Sequence, residues 1–422
     1  MGRYTRLSCR WTAFGVVTVA LATGAIAETS TDLPISGAPV AALSDFDREF
    51  SALLTRYDVP GATVAIMQGD EIVFSRGYGW ANVEEKVPAE PGSLFRIADV
   101  STVFTAAAAL KLVEDEQLSL DQRAYTVLND LRGRKGHERD LGLGYITIEN
   151  VLQMTAGWND EENRSGGFDP MFGKWPRIMA EALGERTPAS CKVTARYKIN
   201  RPMQYKPGTS FSYSDFEYCL LGLIVNKAND DEYGPETYEA YVRKKILAPA
   251  GITGMRLGRT LWEDRAEGEV RYYPTPGENV GETLFRDLGT LPREYGGWFA
   301  LEAHFGNGGW LATAEDLVTF AQAMAHGKVL SQESVDRMLA KPAVDHWEAK
   351  DFWFGMGWYV RRTASGLAWA QEGRMPGTVA LLQRGPGDYS YAVLFNRDPG
   401  APGFMKEYRA LVDSAASTLT GN

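Results

Sequence analysis

Cysteine and histidine are scarce in this chain: three and four residues among 422. His137, His304, His326 and His346 are scattered, with no helical pair spacing and no cysteine partner. A zinc-type ligand set is therefore not encoded, and neither a metal nor another cofactor is expected. Internal repeats, low-complexity tracts and heptad arrays are absent, which excludes solenoids and coiled coils. The glycine-rich pieces "GLGYITIEN" and "GNGGW" lack the strand–turn–helix context of a phosphate-binding loop. Long apolar runs are also missing, with one exception at the start.

That exception is "WTAFGVVTVALATGAIA", which follows Arg3, Arg6 and Arg10 and ends in Ala25-Ile26-Ala27. A basic start, a short apolar run and an A-x-A site form a secretory leader, with residues 1–27 removed before Glu28. The run is short for a spanning helix, which needs roughly 20 residues; an uncleaved anchor is the alternative. A periplasmic or secreted protein is expected, without membrane insertion once the leader is gone. Loss of the three arginines takes the net charge from -10 to -13. Nucleic acid and anionic membrane surfaces are poor partners for so acidic a chain. Of the cysteines only Cys191 and Cys219 then remain. An oxidising compartment permits a bridge between them. Cys219 lies in the apolar run "YCLLGLIV", so a buried free thiol fits equally.

What remains is ordinary globular material, 44% hydrophobic and 23% charged, enough for one large enzyme-sized domain. "ATVAIMQGDEIVFSRGYGWANV" predicts two strands around a Gly-Asp turn, with Val64, Ile66, Ile72 and Phe74 at strand-like spacing. "STVFTAAAALKLVEDEQ" follows a helical period. A polar, loop-rich stretch runs from about 129 to 208. "SYSDFEYCLLGLIVNKA" predicts a loop entering a buried helix. "TAEDLVTFAQAMAHG" is an amphipathic helix capped by Thr313 and stopped at Gly327. "FGMGWYVRR", "LAWAQEG", "GTVALLQRG" and "SYAVLFNRD" are four β-rich runs, and "GFMKEYRALVDSAASTL" is a closing helix. The order implies one α+β domain over 28–422. Its antiparallel sheet draws on about 42–112 and 300–421, is flanked by helices, and holds a helical and loop insertion at about 113–299.

Seven stretches in this order resemble the serine β-lactamase and penicillin-binding-protein-like superfamily, most of all the class C β-lactamases and related esterases and D-amino-acid peptidases. They are "VPGATVAIMQGDEIVFSRGYG", "LFRIADVSTVFTAAAALKLVEDEQLSLD", "ITIENVLQMTAGW", "MQYKPGTSFSYSDFEYCLLG", "GGWLATAEDLVTFAQAM", "FGMGWYV" and "VALLQRGPGDYSYAVLFNRD". The resemblance implies the β-lactamase/transpeptidase-like fold. It also implies three catalytic elements: S-x-x-K at a helix start, Y-x-N or S-x-N on a facing loop, and K-T-G or H-x-G on a strand. One helical turn sets the lysine beside the serine, so that the amine can take the serine proton. A backbone N–H near the end of the third element joins that of the nucleophile as an oxyanion hole.

This chain departs at most of these places. Setting "FRIADVST" against the family's usual "FRIGSVSK" puts Asp99 at the serine and Thr102 at the lysine. Ser101 offers no rescue, since Phe104 stands three residues on. The second element reads "YSD", with Tyr213 kept and Asp215 for asparagine. The third reads "QEG", with Gln371 for lysine or histidine and Gly373 kept. Asp99 and Arg374 would supply the oxyanion-hole amides. Where catalytic residues act as a unit, loss of the nucleophile costs on the order of 10⁶ in rate.

Asp99 admits three readings. It can cap the helix, since aspartate suits that place and the helix dipole favours an anion there. It can act as general acid, general base or nucleophile, with Asp215 as second carboxylate. It can bind a cationic group or, with Asp215 and water, a hard cation. Tyr213 either lines the site or packs beneath it. Trp158 and Trp310, both beside glycines, line the cleft or belong to the core. The expected function is a non-hydrolytic relative that binds a small-molecule or peptide ligand in the inherited cleft, with Trp158, Gly373 and Arg374 at the ligand. The alternative is an enzyme working through Asp99, Asp215 and Tyr213.

Overall fold

The computed structural model describes residues 33–159, 170–230, 233–278, 280–286, 288–344 and 350–421. The predicted leader lies outside them. Leu33–Asn422 forms one compact unit.

In chain order the main elements are β1 (Ile35–Ser36), α1 (Ser44–Arg56), β2 (Gly61–Gln68), β3 (Glu71–Asn82), α2 (Thr102–Glu114), α3 (Trp175–Leu183), α4 (Cys191–Lys198), α5 (Asp215–Asp230) and α6 (Ala314–Ala325). They are followed by β4 (Phe352–Phe354), β5 (Tyr359–Thr363), β6 (Gly366–Met375), β7 (Thr378–Arg384), β8 (Tyr389–Phe395) and α7 (Phe404–Thr420). The strands join in the order β1-β3-β2-β8-β7-β6-β5-β4, each pair antiparallel. The seam between the two ends of the chain is β2 against β8, with Ala65 opposite Ala392. The fold is thus the expected mixed α+β arrangement.

Two-residue alternation explains why the central strands are apolar throughout. Val64, Ile66, Val379, Leu381, Val393 and Phe395 face one way, into a core with Phe46 and Phe50 of α1 and Phe404 and Tyr408 of α7. Ala65, Met67, Ala380, Leu382, Ala392 and Leu394 face the other way, towards α2 and α6. Both faces are covered, so neither needs polar residues. The small side chains on the second face let α6 lie close to the strands. Ile72 breaks the expected pattern and is exposed, because a bulge at Ile66/Met67 shifts the pairing.

α2 is buried on nearly every side, which its Ala106–Ala109 run permits. α6 starts on a reciprocal cap: Thr313 accepts from the Asp316 N–H and Asp316 accepts from that of Thr313. The 129–208 stretch is more helical than its polarity suggests, since it contains α3 and α4. A disulfide joins Cys191 of α4 to Cys219 of α5, so the free-thiol reading of Cys219 does not hold. Among the described residues no helix is long and apolar enough to cross a membrane.

Candidate functional site

The site forms where the turn before α2 meets the end of β6. The chain enters through Phe95–Arg96, which pairs with Trp310–Ala312. Arg96 is fully buried and clamps this entry. Its guanidinium donates to the carbonyls of Glu294 (2.6 Å) and Arg259 (2.9 Å) and lies 4.3 Å from the Tyr272 ring centre. Glu269, also buried, stands 3.5 Å from its Nε. Two residues on, Ala98 takes φ +45°, a left-handed conformation that a residue with a Cβ adopts only at a cost. A single 3-10 turn, Ala98–Ser101, then leads into α2.

Asp99 does not cap α2. Ser101 occupies the cap place in helical conformation, without a side-chain cap bond. The Asp99 carboxylate reaches across the cleft instead, and its Oδ2 accepts the backbone N–H of Arg374 at 3.1 Å. The close approach of the two segments requires Gly373. A Cβ there would stand 2.4 Å from the Ile97 carbonyl oxygen and 2.7 Å from the Asp99 amide nitrogen. The Arg374 guanidinium turns outward and makes an ion pair with Asp398 at 2.7 Å.

Thr102 and Gln371 form a neutral pair in the cleft floor. The Thr102 hydroxyl donates to the Asp99 carbonyl at 2.8 Å and accepts from Gln371 Nε2 at 3.0 Å. Gln371 Nε2 also lies 3.5 Å from the Tyr213 hydroxyl oxygen. Gln371 is completely buried, and its Oε1 has no hydrogen-bond partner among the described residues. Tyr213 sits on the loop before α5, edge-on to the Phe354 ring at 6.1 Å. Burial, then the charge of Asp99, then that of Asp215, hold its hydroxyl well above the usual tyrosine range. This favours the protonated, neutral hydroxyl. Asp215 is buried at the start of α5.

The structure therefore brings Asp99, Thr102, Tyr213, Gln371, Gly373 and Arg374 together, with the charge of Asp215 bearing on Tyr213. Trp158 and Trp310 are not at the cleft surface. Trp158 is fully buried, edge-on to Phe216 at 4.8 Å, because the turn at Gly157 (φ +118°) directs it inward. Trp310 is buried too, and its indole N–H donates to Tyr238. Trp175 and Trp298 line a cavity instead. They border a groove of about 730 Å³ beside Arg374, together with Phe172, Lys174, Arg293 and Asp398. No motif marked these residues; only their position in the fold does. Among the described residues, no group of three or more His, Cys, Asp or Glu could hold a metal ion.

A family model described as beta-lactamase matches residues 46–416. The chain belongs to the beta-lactamase family. Protein flp of Staphylococcus aureus (strain COL) is 23% identical over 212 residues, covering 50% of this chain and 38% of flp. The chain thus spans well under half the length of that relative. The putative penicillin-binding protein PbpX of Bacillus subtilis (strain 168) is 25% identical over 336 residues, 79% of this chain and 70% of PbpX. Among solved structures, the octameric penicillin-binding protein homologue from Pyrococcus abyssi superposes with a TM-score of 0.67 at 22% identity, covering 90% of this chain and 78% of that one. D-amino acid amidase from Ochrobactrum anthropi SV3, complexed with L-phenylalanine amide, gives 0.65 at 21% identity, with 90% and 99% covered. At these identities the likeness shows the fold.

Proposed function

We propose that this member of the beta-lactamase family is a non-hydrolytic binding protein. Its ligand is a peptide-, ester- or amide-like compound held in the inherited cleft. One observation carries the reading: the Asp99 carboxylate accepts the Arg374 N–H, the amide that the family resemblance assigns to the oxyanion hole. An anion fixed on that donor opposes a second, developing anion at the same place. The rest of the cleft supports the reading. Thr102 and Gln371 carry no charge and the Tyr213 hydroxyl is held protonated, which leaves the carboxylates of Asp99 and Asp215 as the groups there that could take a proton, and Asp99 is already engaged by the Arg374 N–H. The groove beside Arg374, walled by Phe172, Trp175 and Trp298, suits a ligand that carries apolar surface.

The protein acts in the periplasm or outside the cell. The Cys191–Cys219 bridge supports this, as disulfides persist in oxidising compartments. Nucleic acid is not a partner of so acidic a chain. A second reading, an enzyme using Asp99 and Asp215, rests on the action of both charges on Tyr213. The test is turnover of a mixed panel of β-lactams, acyl esters and D-amino-acid peptides by the protein and by Asp99→Ala. The proposal expects no difference between them. Turnover that disappears in Asp99→Ala would overturn it in favour of the second reading.

A further inference from the structure

A second surface lies apart from the cleft, on the segment "LRGRKGHERDLGLGY" (Leu131–Tyr145). In a chain of net charge -10, the run from Arg132 to Arg139 holds Arg132, Arg134, Lys135 and Arg139 against one acid, Glu138. Arg123 adds a fifth cation at the Tyr145 end of the segment. Its guanidinium donates to the Tyr145 carbonyl and lies 6.0 Å from the Tyr145 ring centre. None of these five cations forms an ion pair with a carboxylate among the described residues. Arg132 bonds backbone carbonyls, and Arg139 lies over the Tyr125 ring at 4.8 Å. Next to the cations stand two large apolar side chains in water: Leu141 is 86% exposed and Tyr145 66%.

The segment is held in place. Asn200 accepts the Arg134 N–H (2.5 Å) and donates to the carbonyls of His137 (3.2 Å) and Glu138 (2.7 Å). The Asp140 carboxylate is engaged by the backbone N–H groups of Gly142 (2.7 Å) and Met203 (3.1 Å), which fixes the 3-10 turn carrying Leu141. The backbone that carries the four cations is thereby held directly before the turn that exposes Leu141.

We propose that this surface docks the protein on anionic phospholipid. Unpaired cations suit phosphate headgroups, each adding to the attraction within a Debye length of the membrane. An exposed leucine suits the acyl boundary, and a tyrosine suits the headgroup level. Nucleic acid or an acidic protein would engage the cations and leave Leu141 in water. The acidity of the rest of the chain makes attachment one-sided: this face is drawn to the membrane and the others are repelled. The overall charge, which alone disfavours a membrane partner, conceals this local reversal.

The test is sedimentation of the protein, freed of its predicted leader, with vesicles of phosphatidylcholine alone and of equal parts phosphatidylcholine and phosphatidylglycerol. Binding is expected on the anionic vesicles only, weakening as salt is raised. The combined change Arg132→Ser, Arg134→Ser, Lys135→Ser and Arg139→Ser should lower partitioning by roughly tenfold or more. Leu141→Ser, which leaves every charge in place and removes an almost fully exposed side chain, should also weaken it. Circular dichroism and the melting temperature establish that each variant is folded. Equal binding to both vesicle types, or full binding by the folded charge variant, would overturn the proposal. So would retention on heparin or DNA with no binding to anionic vesicles.

Discussion

The backbone N–H of Arg374 donates to the carboxylate of Asp99 across 275 residues of sequence. The bond joins the turn before α2 to the end of β6, two segments from opposite ends of the chain. It places a fixed anion on a backbone donor where these two segments meet.

Restoring the serine alone should not restore acyl chemistry. Asp99→Ser frees the Arg374 amide and supplies a hydroxyl, but the groups around it are Thr102, Gln371 and a protonated Tyr213. A serine without its base loses on the order of 10⁶ in rate. Mass spectrometry after incubation with a β-lactam should show no adduct on Asp99→Ser. A covalent adduct on this single variant would mean that the cleft still holds a working base.

Gly373→Ala should weaken the fold as well as the site. The added methyl meets two backbone atoms and the Ala98 Cβ at under 3.0 Å, and none of these is the movable end of a long side chain. Overpacking of this kind costs about 1–3 kcal/mol. The urea midpoint should fall accordingly, with the slope of the transition unchanged. An unchanged midpoint would show that the turn at Ala98 is softer than its packing implies.

Much of the fold is legible in the sequence, because period and punctuation are local properties. The Gly69-Asp70 turn, the Thr313 cap and the four C-terminal strands all declare themselves within a few residues. What fails to show depends on distant partners. Asp99 has the residue type of a cap, but its acceptor role is satisfied by Arg374, and nothing near position 99 announces that. Trp158 has the same neighbours whether it faces the cleft or Phe216; the turn at Gly157 decides. The spacing of Ile72 hides a bulge. Trp298 and Lys174 border the groove only because the insertion folds back beside β6. The Cys191–Cys219 bridge depends on α4 packing against α5, which no spacing rule contains.

That bridge should contribute measurably to stability. It closes a loop of 28 residues between helices that pack together. Chain-entropy reasoning assigns a cross-link of this span about 3–4 kcal/mol. The double variant Cys191→Ser, Cys219→Ser should unfold at a lower denaturant concentration by that order. Dithiothreitol should lower the wild-type protein and leave the variant unaffected. Equal stability of oxidised and reduced protein would mean that packing around α5 alone holds the two helices.

His304 should give the protein an acid-sensitive element in its interior. It is fully buried, its Nε2 donates to the Met171 carbonyl (3.2 Å), and its Nδ1 accepts from Asn307 (2.9 Å). Burial lowers its pKa from 6.5 to about 4. The unfolded chain therefore binds a proton between these values that the folded chain refuses. Stability rises with pH wherever the unfolded state holds more protons, so this contribution is complete above about pH 6.5 and is lost as pH falls towards 4. The loss is on the order of 3 kcal/mol. His304→Gln, which keeps a polar side chain but does not titrate, should be less stable than wild type at pH 7.5 and flatter in its pH dependence between 7.5 and 4.5. Urea denaturation at several pH values checks this. Parallel curves for the two proteins would remove His304 as the source of acid sensitivity.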